Sequence, residues 1–188
     1  MPDGPPQQGP DYDDDFYAWT QHQAAVVREM PVTDNRFDRA HVAEEIEDLG
    51  RSYRDAVRSQ LRRIIEHFLK LQYAPAQEPR YGWIGSIIDA RQEIFDRITP
   101  TIRRELEGEL QRLYAGGRKR TEVGMTGHGE TEAVKLLPNL CPYTFDQILE
   151  EDWYPEPVET PRPVILSATA RRRRTPTGRA GRASRSIS

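Results

Sequence analysis

FDRAHVAEEIEDLGRSYRDAVRSQLRRIIEHFLKLQY, residues 37–73, constrains everything around it. Its apolar positions Val42, Ile46, Leu49, Tyr53, Val57, Leu61, Ile64, Phe68 and Leu71 are spaced by three or four throughout. On an α-helix that spacing gathers them into one band roughly 120° wide. Burying each member contributes roughly 1.5–3 kcal/mol before chain entropy is subtracted, so this helix is expected to be the spine of a core. Asp38 is its expected N-cap, and Phe37 just before the cap makes a hydrophobic staple with Val42. Gly50 costs about 1 kcal/mol relative to Ala inside a helix, and so marks either a close approach by another helix or a small bend. Ile65 and Leu69 fall outside the band, which predicts that the last turns are covered on more than one side.

On the N-terminal side, residues 1–11 are rich in Pro, Gly and Gln and are read as disordered. Asp13, Asp14 and Asp15 then cap a helix expected over 14–30, with Phe16, Trp19, Val26, Val27 and Met30 on one face and Pro31 ending it. On the C-terminal side, APAQEPRYG (74–82) reads as a connection to a helix over 83–98. Thr99 followed by Pro100 opens another, carrying Ile102, Leu106, Leu110 and Leu113, which Gly116 and Gly117 are expected to stop or loosen. RKRTEVGMTGHG (118–129) reads as a loop or a frayed helix end, followed by a short helix over 130–137. Thr144 and Gln147 form a capping box for a last short helix, with Trp153 just beyond. Trp19, Trp83 and Trp153 are expected as core anchors. The reading is all-α: one compact helical bundle over 12–156 built around the long helix 37–73, with disordered termini at 1–11 and 157–188.

Composition narrows the function classes. The 188 residues carry 27 Lys and Arg against 30 Asp and Glu, a net −3 that hides an asymmetry. Residues 162–188 hold eight Arg and no acid, so the remaining 19 basic residues face 30 acids and the body stands at a formal −11. An acidic body does not invite nucleic acid, whereas Arg171, Arg172, Arg173 and Arg174 in the basic tail are candidates for phosphate contacts. The lone Cys141 excludes an intramolecular disulfide and fits a reducing compartment, with the cytoplasm as the expected location. No run of 18 apolar residues occurs, so no membrane association is expected.

Three blocks, DDDFYAWTQHQAAVVRE, VAEEIEDLGRSYRDAVRSQLRRIIEHFLKLQY and CPYTFDQILEEDWYPE, resemble the bacterial family known as domain of unknown function 29. The resemblance covers about residues 12–156, with EEIEDLGRS and HFLKLQY its most distinctive parts. It implies an all-helical domain in a bacterial cytoplasm and carries no reaction with it.

The sharpest catalytic idea is a metal or acid–base site from Glu44, Glu45, Asp48 and His67, since carboxylates with a histidine hold hard cations or activate water. Glu45 and His67 lie 22 residues apart on one helix, about 33 Å, and cannot share an ion. The Glu-x-x-His pattern of di-iron bundles is absent. Asp48 is expected to pair with Arg51, and His67 reads as a hydrogen-bonded structural residue at the edge of the band. No cofactor and no resident metal are therefore expected. The leading expectation is a non-enzymatic helical module that works by protein interaction or regulation, through a protein partner or self-association; the alternative is a metal-dependent hydrolase, possibly on nucleic acid, using the carboxylate face.

Overall fold

Helix signals in the sequence become seven helices among the described residues of the computed structural model, which are 9–31, 33–76 and 79–158. They are α1 (Phe16–Glu29), α2 (Arg39–Tyr73), α3 (Arg80–Phe95), α4 (Pro100–Gly108), α5 (Leu110–Gly127), α6 (Thr131–Val134) and α7 (Phe145–Leu149). No described residue lies in a strand. None of these helices is long and apolar enough to cross a membrane. The expectations for residues 1–8 and for the tail from 159, Arg171–Arg174 included, lie outside the described residues.

The expected caps form where the local chemistry asks for them. Asp15 accepts from the Ala18 N–H, Asp38 from the His41 N–H and Thr99 from the Ile102 N–H. Thr144 and Gln147 complete the capping box of α7 in both directions. Asp15 also reaches beyond its own helix. Its other carboxylate oxygen accepts the Thr101 N–H at 2.8 Å, which ties the start of α1 to the start of α4.

α2 is the spine, and α1, α3 and α5 all pack on it. Its C-terminal half carries the main core: Val57, Leu61, Ile64, Ile65, Phe68 and Leu69 are fully buried with Ile87 and Ile94 of α3, Ile102 and Leu106 of α4, and Tyr114 of α5. Burial of Ile65 and Leu69 confirms that this end is covered on more than one side. Trp83 and Trp153 pack against the core, while Trp19 sits on α1 beside Phe16 and Tyr12.

Four expectations are corrected. α3 begins at Arg80, three residues before the expected start, and ends at Phe95. The helix opened by Thr99 breaks at Glu109, and Leu110 and Leu113 belong to α5. Gly116 and Gly117 neither stop nor loosen that helix, which runs through the supposed loop to Gly127. The cause is tertiary: a Cβ on Gly117 would lie 2.8 Å from Ile65 Cγ2 and 3.2 Å from the Arg62 carbonyl, so these glycines let α5 settle onto α2. Fourth, the apolar band is not buried along its whole length; Val42 and Leu49 are 37% and 49% exposed.

The α4–α5 break and the C-terminal segment are held by arginines. Arg54 bonds Glu105 at 2.7 Å and Glu109 at 2.6 Å, and Arg58 and Arg112 bond the other Glu109 oxygen at 2.6 and 2.5 Å. Burial works to raise the Glu109 pKa, but the hydrogen bonds from Arg112 and Arg58 outweigh it and hold the carboxyl below its ordinary value. Arg91, 2% exposed, donates to the carbonyls of Ile148, Glu151, Gln147 and Trp153. Its guanidinium also lies over the rings of Phe68 and Tyr154.

Candidate functional site

The predicted carboxylate face does not assemble. Glu44 and Glu45 are exposed on the N-terminal half of α2, and Asp48 pairs with Arg51 as expected. Glu47 is paired with Arg28 and Arg51, while Arg54 turns to Glu105 and Glu109. His67 lies near the far end of α2, away from Glu44, Glu45 and Asp48, which share about one turn of its exposed half. Among the described residues no group of three or more His, Cys, Asp or Glu side chains is placed to hold a metal ion.

His67 differs from its expected state. Its Nδ1 is buried and has no hydrogen-bond partner. Burial, reinforced by the charge of Lys70, lowers its pKa to about 4, so it is a neutral imidazole at pH 7. Among the described residues no carboxylate bonds the Nδ1 to orient the ring.

Exposed apolar residues line one face of α3, Tyr81, Ile88 and Phe95, and a longer strip lies on α1 and α2. α1 and the first half of α2 form a hairpin whose interface is made of small residues: Thr20, Ala24, Ala43 and Gly50 are buried between them. A Cβ on Gly50 would lie 2.0 Å from Thr20 Oγ1, which measures how closely the axes approach. Gln21 donates to the Glu47 carbonyl, and Arg39 to the Met30 carbonyl, fixing the register. Because the small residues occupy the contact line, the large ones on each helix are turned to its flank.

Helical spacing places Val42, Ile46, Leu49 and Tyr53 on one flank of α2, and Phe16, Trp19, Val26 and Met30 on one flank of α1. The contact of Phe16 with Tyr53, ring centroids 4.7 Å apart, shows that the two flanks lie on the same side of the hairpin. Tyr12 extends the strip by edge contacts with Phe16 and Trp19. Tyr12, Val26, Met30, Phe37, Val42 and Leu49 are all exposed there, between 37% and 54%. Further along α2, α3 covers the corresponding residues: Ile64 and Leu71 are buried, and Gln60 bonds Glu93 across that contact. The band is therefore continuous, covered where α3 runs and bare beyond its end.

Sequence periodicity marked Val42 and Leu49 as apolar but assigned them to the core. The signal that they were not core was Ala43 and Gly50, one position further round the helix and small enough for a tight crossing.

Comparison with known proteins supports the fold. The family described as Domain of unknown function DUF29 matches residues 12–154. A crystal structure of an alpha-helical protein of unknown function from Rhodospirillum rubrum is similar to this chain, with a TM-score of 0.68 at 23% identity, over 78% of this chain and 93% of that one. Among curated proteins none matches.

Proposed function

The chain belongs to the DUF29 family, and for this member we propose non-enzymatic self-association through the bare side of the α1–α2 hairpin. The observation that carries it is the uncovered strip of Val26, Met30, Val42 and Leu49. Two antiparallel helices with apolar flanks on one side are half of a four-helix bundle, and a second copy of the same hairpin completes it about a two-fold axis. The exposed apolar area of such a strip is on the order of 400 Å², against about 800 Å² per partner in a standard interface. The remainder comes from half-exposed neighbours such as Gln23 and Ile46, and the dimer is weak and concentration-dependent.

Light scattering on size-exclusion fractions tests the proposal over a roughly hundredfold range of concentration. The mass should rise from monomer toward dimer, and Leu49→Glu or Val42→Glu should hold it at monomer with unchanged helical circular dichroism. A wild-type chain that stays monomeric at the highest concentration overturns self-association.

A further inference from the structure

The open apolar face of α3 carries glycines that the fold does not use. Helical spacing sets Tyr81, Gly85, Ile88 and Phe95 in one line along α3, and Tyr81, Ile88 and Phe95 are 86%, 53% and 49% exposed. Glycine inside a helix is unfavourable relative to alanine, and Gly50 and Gly117 offset that by letting another helix approach. Gly82 and Gly85 have no such offset: a Cβ on either would meet no atom of the described residues within 4 Å. Gly108 and Gly127 also border open space, but they are the last residues of α4 and α5, and helix ends are where glycine is common. Gly85 therefore leaves a gap between Tyr81 and Ile88 in which another backbone can lie close to the helix.

The C-terminal segment leaves the domain beside this face. Gln60 bonds Glu93 across the antiparallel pair of α2 and α3, and Gln72 and Tyr81 each stand twelve positions from that contact, level with each other. The Val158 N–H donates to the Gln72 carbonyl at 2.8 Å, so residue 158 is held at the Tyr81 end of α3. Val164, Ile165 and Leu166 follow six to eight positions later, a reach of roughly 20–26 Å of extended chain. They are the only three consecutive large aliphatic residues in 159–188, and Arg162 and Arg171–Arg174 stand on either side of them. The bare strip of α1 and α2 is beyond that reach, since Leu49 is 23 residues from Gln72 along α2, about 35 Å. Charge also favours α3: Asp89 and Asp96 are exposed, one position round from Ile88 and Phe95, and neither is ion-paired to a described residue.

We propose that the line of Tyr81, Gly85 and Ile88 on α3 is a docking groove for the chain's own segment Val164–Leu166. The aliphatic side chains cover Tyr81 and Ile88, the backbone lies in the gap at Gly85, and the flanking arginines are drawn to Asp89 and Asp96. This contact is intramolecular and uses a different face from the hairpin strip, so it does not depend on self-association.

A nitroxide on Ser167→Cys in the full-length chain, with Cys141→Ser to leave a single thiol, tests this by heteronuclear NMR. The amide signals of residues 81–88 should be lost to paramagnetic broadening at every protein concentration, while those of 42–49 are retained. Ile165→Glu, outside the described helices, should restore the lost signals with unchanged helical circular dichroism. Gly85→Ala, whose Cβ the domain accommodates, should restore them in part. Broadening that survives Ile165→Glu, broadening centred on 42–49, or no selective broadening would each overturn the assignment. So would equal broadening in a mixture of nitroxide-bearing chains with separate isotope-labelled ones, the result expected if the segment docks on a second copy.

Discussion

Gly50 and His67 show what single residues decide on α2. Replacing Gly50 by Ala gains helix propensity of about 1 kcal/mol, yet the added Cβ would stand 2.0 Å from Thr20 Oγ1. The clash outweighs the gain, and Gly50→Ala should destabilise the domain by about 1–3 kcal/mol in urea unfolding. Adding Thr20→Ala should recover part of that loss; an unchanged midpoint for Gly50→Ala alone would contradict the close crossing. His67 acts through pH. Its folded pKa, about 4, is below the ordinary 6.5 of an unfolded histidine, so the unfolded chain binds the proton first as pH falls. Above pH 6.5 the residue contributes no pH dependence; between 6.5 and 4 it lowers stability, and below 4 its effect levels off. His67→Gln should flatten the melting temperature across that window relative to wild type, and equal slopes for the two proteins would argue against the assignment.

At the level of elements, the arginine under α7 has no counterpart in local sequence signals. The capping box at Thr144 and Gln147 could be read directly, because both partners lie within one turn. Arg91 could not, since its acceptors are carbonyls 56 to 62 positions later in the chain. Arg91→Met keeps the apolar stem but leaves those buried carbonyls without their donor, at a cost of about 3 kcal/mol. Hydrogen exchange should show residues 145–154 losing protection first in that variant; uniform loss across α2 and α3 would show that Arg91 serves the whole core instead. The α5 glycines follow the same logic. By propensity Gly116 and Gly117 break a helix, and only the backbone of α2 beside them explains why they are helical here.

On the scale of the whole molecule, burial is uneven along the spine. The C-terminal half of α2 is enclosed by α3, α5 and the aromatic group of Phe68, Tyr143 and Trp153. The N-terminal half is backed mainly by α1, through small side chains that bury little apolar area, and only at its end do Tyr53 and Arg54 reach the core and α4. In monomeric Leu49→Glu, amides of residues 23–30 and 39–46 should therefore exchange well before those of 60–71. Equal protection in the two halves would mean that the hairpin is a full part of the core. Association of the wild type should slow exchange in the hairpin selectively, since only that region gains a cover.

The helical class, the central position of α2, and the caps at Asp15, Asp38, Thr99 and Thr144 are legible in the chain alone, because periodicity and capping act over a turn or two. The chain also bounds the chemistry: the rise of one helix keeps Glu45 and His67 apart, and no other element in the described structure closes that gap. Which half of the apolar band is covered, and which glycines are contacts, emerges only from the packed fold. Both depend on how near a second helix comes, a distance set by Thr20 against Gly50 and by Ile65 against Gly117, pairs that the chain separates by tens of residues.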